Sequence, residues 1–322
     1  MKKVLKILGI AVLAIVLLIV IAIVYVNSAF PKVDPAPELT IQSTPELVAR
    51  GEYLANHVAV CMDCHSTRDF SKFSGPPTPG TYGKGGDRFD QSMDMPGVFY
   101  AKNITPFGIS RYTDGELFRV ITTGVTKEGK ALFPLMPYPY YGQMDDQDIH
   151  AIIAYLRTLP SIENEIPDAE PDFPFNIILK TIPVNASPQK RPEKTDIIAY
   201  GKYMATFSGC VECHTPVSGG QIIPEMAFSG GREFPMPGFM LRTPNLTPHK
   251  SGLGEWTEDM FLTRFKSYEN SEQPVAMGEF NTLMPWTMYA GMDTTDLKAI
   301  FAYLKTVEPI DNTVVRFEPT GE

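Results

Sequence analysis

Cys61-Met62-Asp63-Cys64-His65 and Cys210-Val211-Glu212-Cys213-His214 are one pattern written twice, and together they use all four cysteines of the 322-residue chain. Cys-x-x-Cys-His is the attachment signature of c-type haem: two thiols add to the porphyrin vinyl groups and the adjacent histidine ligates the iron. Two residues between the cysteines put both sulfurs on one turn, and the next residue swings its imidazole under the metal. Other chemistries also pair cysteines. Two disulfides would not call for a histidine after each pair, and thioredoxin-like pairs sit in a βαβ pattern that neither motif has. A zinc site built from two Cys-x-x-Cys knuckles has suitable ligand types. The reading adopted is two covalently bound c-type haems on Cys61, Cys64, Cys210 and Cys213, with His65 and His214 as axial iron ligands.

Outward from the motifs the sequence repeats. The cysteines are offset by 210 − 61 = 149, and Gly51-Glu52-Tyr53 returns as Gly201-Lys202-Tyr203. Asn103-Ile104-Thr105-Pro106 returns as Asn245-Leu246-Thr247-Pro248, Tyr112-Thr113-Asp114 as Trp256-Thr257-Glu258, and Met136-Pro137-Tyr138 as Met284-Pro285-Trp286. Ile149, Ile152, Ile153 and Leu156 form a helical stripe that Leu297, Ile300, Phe301 and Leu304 reproduce. Two homologous domains explain this order of anchor points. The expected boundaries are 46–162 and 195–310, with an inter-domain strap at 163–194 and a tail at 311–322.

The amino terminus is different in kind. Lys2, Lys3 and Lys6 precede the uncharged apolar run 7–26. Some twenty residues at ~1.5 Å rise match the ~30 Å hydrocarbon core of a bilayer. The run exceeds a signal-peptide apolar region, and Asn27-Ser28-Ala29 is a poor cleavage site. Residues 1–30 are therefore expected to be a single-pass signal-anchor that contacts membrane lipid, and 31–45 a proline-rich tether. The lysines hold the amino end in the cytoplasm, which leaves the haem motifs on the periplasmic side of the inner membrane. With 28 Lys and Arg against 37 Asp and Glu, and no basic stripe, nucleic acid is not an expected partner.

A sixth ligand separates an electron carrier from a catalyst, since His/Met ligation closes the iron to substrate. Met136 lies 75 residues after Cys61 and Met284 lies 74 after Cys210, each 13 residues before the first apolar residue of its closing helix, Ile149 or Leu297. They are the expected distal ligands, ahead of the turn-forming pair Met95 and Met236. Of the remaining histidines, His57, His150 and His249, none recurs in both units. Asn103, Tyr112, Asn245 and Trp256 are candidates for the haem surroundings.

In order, Gly-x-Tyr-Leu, Cys-x-x-Cys-His, Asn-Ile-Thr-Pro, aromatic-Thr-Asp, Met-Pro-Tyr, Asp-x-x-Asp-Ile and Ala-Tyr-Leu resemble the cytochrome c subunits of membrane-bound bacterial alcohol and gluconate-type dehydrogenases. Those subunits typically carry three haems, whereas two motifs are present here. The resemblance implies electron transfer from a periplasmic dehydrogenase toward a quinone or terminal oxidase. The fold expected is all-α: a transmembrane helix followed by two tandem class I-like cytochrome c domains. The enzyme alternative is a dihaem cytochrome c peroxidase, which needs an open distal position on one haem.

Overall fold

A computed structural model describes residues 1–236, 238–276 and 278–320. It begins with α1 (Lys2–Ala29), whose most apolar 18-residue window has a mean hydropathy of 3.6 and is nowhere buried. By length and composition this helix can cross a membrane.

Two units of equivalent parts follow. In the first, the Thr44 hydroxyl accepts from Leu47 N at 3.2 Å and Pro45 holds the first helical position, which starts α2 (Pro45–Tyr53). The chain continues as a π-turn, Leu54–Val58, into α3 (Cys61–Cys64), the first motif. Next come β1 (Arg88–Phe89), β2 (Gly97–Tyr100), α4 (Pro106–Ile109), α5 (Asp114–Thr123), α6 (Tyr138–Tyr141) and α7 (Asp146–Thr158). Thr113 and Glu116 close a full capping box on α5. The connecting segment holds β3 (Glu170–Pro171) and α8 (Phe175–Ile178). The second unit runs α9 (Ile197–Phe207), α10 (Cys210–Cys213), β4 (Val217–Ser218), β5 (Gln221–Ile222), β6 (Glu233–Met236), β7 (Phe239–Arg242), α11 (Glu258–Lys266), α12 (Trp286–Tyr289), α13 (Thr294–Leu304) and β8 (Phe317–Pro319).

Each core is a crossing of the first and last helices, α2 on α7 and α9 on α13. The two repeated apolar stripes are buried in these crossings. A Cβ at Gly51 would overlap the Ala151 carbonyl, and one at Gly201 would overlap that of Ala299. Backbone approaches this close admit only glycine, which explains why the Gly-x-Tyr pattern occurs twice.

The all-α expectation is corrected: among the described residues there are three small antiparallel sheets, ordered β1-β2-β3, β4-β5 and β6-β7-β8. Their strands have two to four residues, too short for a period-two signal to stand out. In β2 and β7 burial nevertheless alternates, with Phe99 and with Phe239 and Leu241 turned inward. The third strands come from outside the repeat as it reads in the sequence: β3 from the segment after the first unit and β8 from the C-terminal tail. Asn164 Nδ2 donates to Lys84 O at 3.0 Å, and its counterpart Asn312 donates to Ser229 O at 3.1 Å. Each unit thus extends past its closing helix.

The units meet through a reciprocal contact. Tyr203 of α9 donates its hydroxyl to Asp148 of α7 at 2.7 Å and accepts from Asp145 N at 3.2 Å. Tyr53 of α2 donates to Asp296 of α13 at 2.7 Å and accepts from Asp293 N at 3.1 Å. Asp148 and Asp296 are 1% and 0% exposed, so charged partners are required. Arg50 and Arg191 serve Asp148, and Lys194 serves Asp296 at 2.9 Å.

Candidate haem-binding sites

Both motifs are single helical turns entered from a left-handed residue, Gly209 (φ 65°) in the second unit and Val60 (φ 45°) in the first. Glycine takes that conformation freely, while a β-branched residue there is strained. Cys64 and Cys213 are exposed and Cys61 and Cys210 partly so, and none of the four is in a disulfide. Burial pushes the thiols of Cys61, Cys64 and Cys210 up to about 12 and that of Cys213 to about 11. The surroundings of the four sulfurs disfavour the charged thiolate. Such a site favours uncharged sulfur, as thioethers are. Among the described residues no three His, Cys, Asp or Glu side chains converge to hold a metal ion, so the two Cys-x-x-Cys turns do not form one zinc site.

Each motif histidine is oriented from behind. His65 Nδ1 lies 2.6 Å from Lys102 O and His214 Nδ1 lies 2.8 Å from Pro244 O. With Nδ1 as the donor, Nε2 is left free to ligate a metal. Burial lowers the pKa of both rings, His214 to about 4, which keeps them neutral as a metal ligand must be. The two carbonyls belong to the residues just before Asn103 and Asn245. Asn103 Oδ1 accepts from Thr105 N at 3.0 Å while Nδ2 donates to Ile162 O at 2.8 Å. Asn245 does the same with Thr247 N at 2.8 Å and Ile310 O at 2.8 Å. The Asn-x-Thr-Pro turns therefore hold the carbonyl that aims the histidine.

Met136 and Met284 are half-buried against the core, each heading a tight turn: Tyr138 N donates to Met136 O at 2.7 Å and Trp286 N to Met284 O at 2.8 Å. The loops are held differently. A first-unit loop reaches across to Met284, where Ser74 Oγ donates to Met284 O at 2.6 Å and accepts from Trp286 N at 2.9 Å. Arg68 joins it, with Nη2 on Ser74 O at 2.7 Å and on Leu283 O at 3.3 Å, while Nη1 pairs with Asp63 of the first motif at 3.0 Å. Among the described residues, the matching second-unit loop 216–229 makes no hydrogen bond to the Met136 loop. That loop is instead reached by Glu212 of the second motif, which accepts from Tyr140 Oη at 2.9 Å. The acid between the cysteines of each motif is thus tied to the methionine loop of the other unit, through Arg68 in one case and Tyr140 in the other.

Residues 198–308 match the family described as Cytochrome c. This span is a cytochrome c domain. Over 82% of its length the chain is 29% identical to the alcohol dehydrogenase (quinone) cytochrome c subunit of Gluconacetobacter polyoxogenes. Over 83% it is 29% identical to the gluconate 2-dehydrogenase cytochrome c subunit of Pantoea cypripedii. The chain spans 56% and 60% of those relatives' lengths, less than two thirds of either. It is also 28% identical to a "diheme cytochrome c-type" protein of Cereibacter sphaeroides, over 84% of this chain and 92% of that one.

Within the cytochrome c domain Trp256 is half-buried against the core, with its backbone N–H on Leu253 O at 3.1 Å. Tyr112, its first-unit counterpart, offers its carbonyl to Arg157 at 2.6 Å and its ring to Arg111 and Lys127, at 5.4 and 5.6 Å. His57 reaches out of its own unit, with Nδ1 2.8 Å from Met288 O, and His150 lies against Phe118 at 5.7 Å. Met95 follows a 3-10 turn and Met236 ends β6. Arg68 and Ser74 escape sequence reasoning because neither is among the anchor points that recur in both units.

Proposed function

We propose that the chain is a membrane-anchored dihaem cytochrome c with two class I-like domains that relays single electrons. The observation that carries this reading is the histidine tethered through Nδ1 to a backbone carbonyl, present in both units beside a Cys-x-x-Cys turn. Bound haem supplies the reversible one-electron couple. The residues would do the rest: the four cysteines would hold the two porphyrins, and His65, His214, Met136 and Met284 would serve as iron ligands. The Met-Pro-aromatic loops are equivalent in sequence and in their turn geometry, which favours two closed sites over the one open site that a peroxidase-type enzyme needs.

The relatives named as cytochrome c subunits of dehydrogenases support a periplasmic dehydrogenase as donor, with a quinone or an oxidase as acceptor. The apolar α1 supports a single-pass anchor with its lysines on the cytoplasmic side. The test is a pyridine haemochrome assay on the purified chain, where two c-type haems per polypeptide are expected and any other number overturns the reading. Met136→Ala and Met284→Ala should each abolish the weak sulfur-to-iron band of one haem only. A variant that leaves both bands intact ends that ligand assignment.

A further inference from the structure

The connecting segment carries apolar residues that neither unit buries: Phe173 is 75% exposed, Ile178 50% and Val184 59%. Its other side is anchored. Leu179 is buried, and Phe175 packs edge-on against Phe133 of the first unit, 5.5 Å away. The same segment touches α1. α8 and the turn Leu179–Thr181 pack on that helix, and Lys180 Nζ donates to Asn27 Oδ1 at 2.6 Å. Residues 1–22 of α1 are exposed, and partial cover begins at Ile23 and recurs at Val26 and Ala29, one face of the last turns.

Position along α1 fixes depth. If 7–26 fills the ~30 Å hydrocarbon core, the covered face from Ile23 to Ala29 rises only ~9 Å and straddles the outer hydrocarbon boundary. Whatever packs there lies at the depth where amphipathic segments bury an apolar face, ~5–10 Å into the headgroup and acyl boundary. The Tyr25–Phe30 aromatic pair, with centroids 6.3 Å apart, sits at the same level, as interfacial aromatics do.

We propose that residues 173–184 are a second, interfacial membrane contact, with Phe173, Ile178 and Val184 immersed in the outer leaflet. This rests on reading α1 as a membrane anchor. The partner is the lipid surface itself. Asp172 and Lys180 balance one another across 172–184, so the contact is apolar and independent of anionic lipid. The first unit is then held against the bilayer at two places, the end of α1 and this foot.

The test uses full-length haem-loaded protein in phosphatidylcholine vesicles. Haem attachment consumes the four native thiols, so Phe173→Cys, Ile178→Cys, Ile15→Cys and Val315→Cys each offer one site for a nitroxide label. Collision with oxygen and with a water-soluble nickel chelate is read by electron paramagnetic resonance. Labels at 173 and 178 are expected to show an oxygen-to-nickel ratio several-fold above that at Val315, an exposed residue of the C-terminal tail, and below that at Ile15 in mid-helix. Aqueous ratios at 173 and 178 beside a lipid-like Ile15 overturn the foot and leave the anchor standing. An aqueous Ile15 overturns the anchor and the foot with it. Labels shielded from both reagents mean that protein covers the patch, which also overturns the proposal.

Discussion

Ser74→Ala removes one hydroxyl from the first unit, yet its effect is expected at the second haem. The hydroxyl donates to Met284 O at 2.6 Å and accepts from Trp286 N at 2.9 Å, and Ser74 is 1% exposed, so water does not replace it. Leaving buried groups unmatched costs ~1–3 kcal/mol. Trp286 N keeps its bond to Met284 O at 2.8 Å, which holds the loss below the top of that range. The left-handed φ of 70° at this position is no worse for alanine than for serine, so backbone strain does not confuse the comparison. At ~2 kcal/mol, with ~1.4 kcal/mol per factor of ten, the methionine-ligated arrangement of this loop weakens ~30-fold. On the proposed ligation, a spectroscopic titration with imidazole should show the haem assigned to Met284 exchanging its methionine at a correspondingly lower concentration, while the haem assigned to Met136 titrates as in the parent protein. If both haems shift alike, or neither does, the cross-unit clamp does not position Met284.

Other consequences can be checked directly. Gly201→Ala drives a methyl into the Ala299 backbone and should cost at least the ~1–3 kcal/mol of an overpacked core, read as a drop in thermal midpoint. Tyr53→Phe and Tyr203→Phe each strip a hydroxyl donor from a buried carboxylate, and denaturant titration should register ~1.5–3 kcal/mol for either, with unchanged haem content. Burial raises Asp87 from its usual 3.8 to about 6, against the opposing charges of Arg68 and Lys84. An acid with a raised folded pKa binds its proton more tightly when folded, so stability falls as pH climbs from about 4 to about 6 and is level above. Asp87→Asn should reduce that slope, to which Asp63, also raised to about 6 by burial, contributes with the same sign, and be the more stable protein at pH 7; an unchanged slope would mean that other groups set it.

The parts of this molecule that repeat were readable, because each repeated residue answers a local physical demand. Gly51 and Gly201 mark backbone contact, the apolar stripes mark the face turned to it, and Thr113 with Glu116 closes a cap. What stayed hidden depends on long-range geometry. Tyr53 and Tyr203 look like ordinary members of a helical stripe, and nothing local shows that their hydroxyls cross to the other unit's acids. Asn164 and Asn312 do recur, as Ile162-Glu163-Asn164 and Ile310-Asp311-Asn312, but proline-rich surroundings made those stretches look like linkers. The strands were missed for want of length. Asn103 and Asn245 recur and are readable as a pair, whereas their part in bracing the carbonyls that face His65 and His214 depends on hydrogen bonds to residues some sixty positions away.

The tyrosine–aspartate exchange between the units has a meaning beyond adhesion. Tyr53 meets Asp296 and Tyr203 meets Asp148, so the same patch is used from both sides, which is the isologous pattern of a two-fold homodimer. A duplicated gene could inherit such a pairing whole from an ancestor that associated with itself. In that view the covalent link only made permanent a symmetry that already existed. The loop bearing Arg68 and Ser74, whose cross-unit contacts the matching loop 216–229 does not repeat among the described residues, is then a mark of divergence after fusion, and it falls on one of the two methionine loops alone.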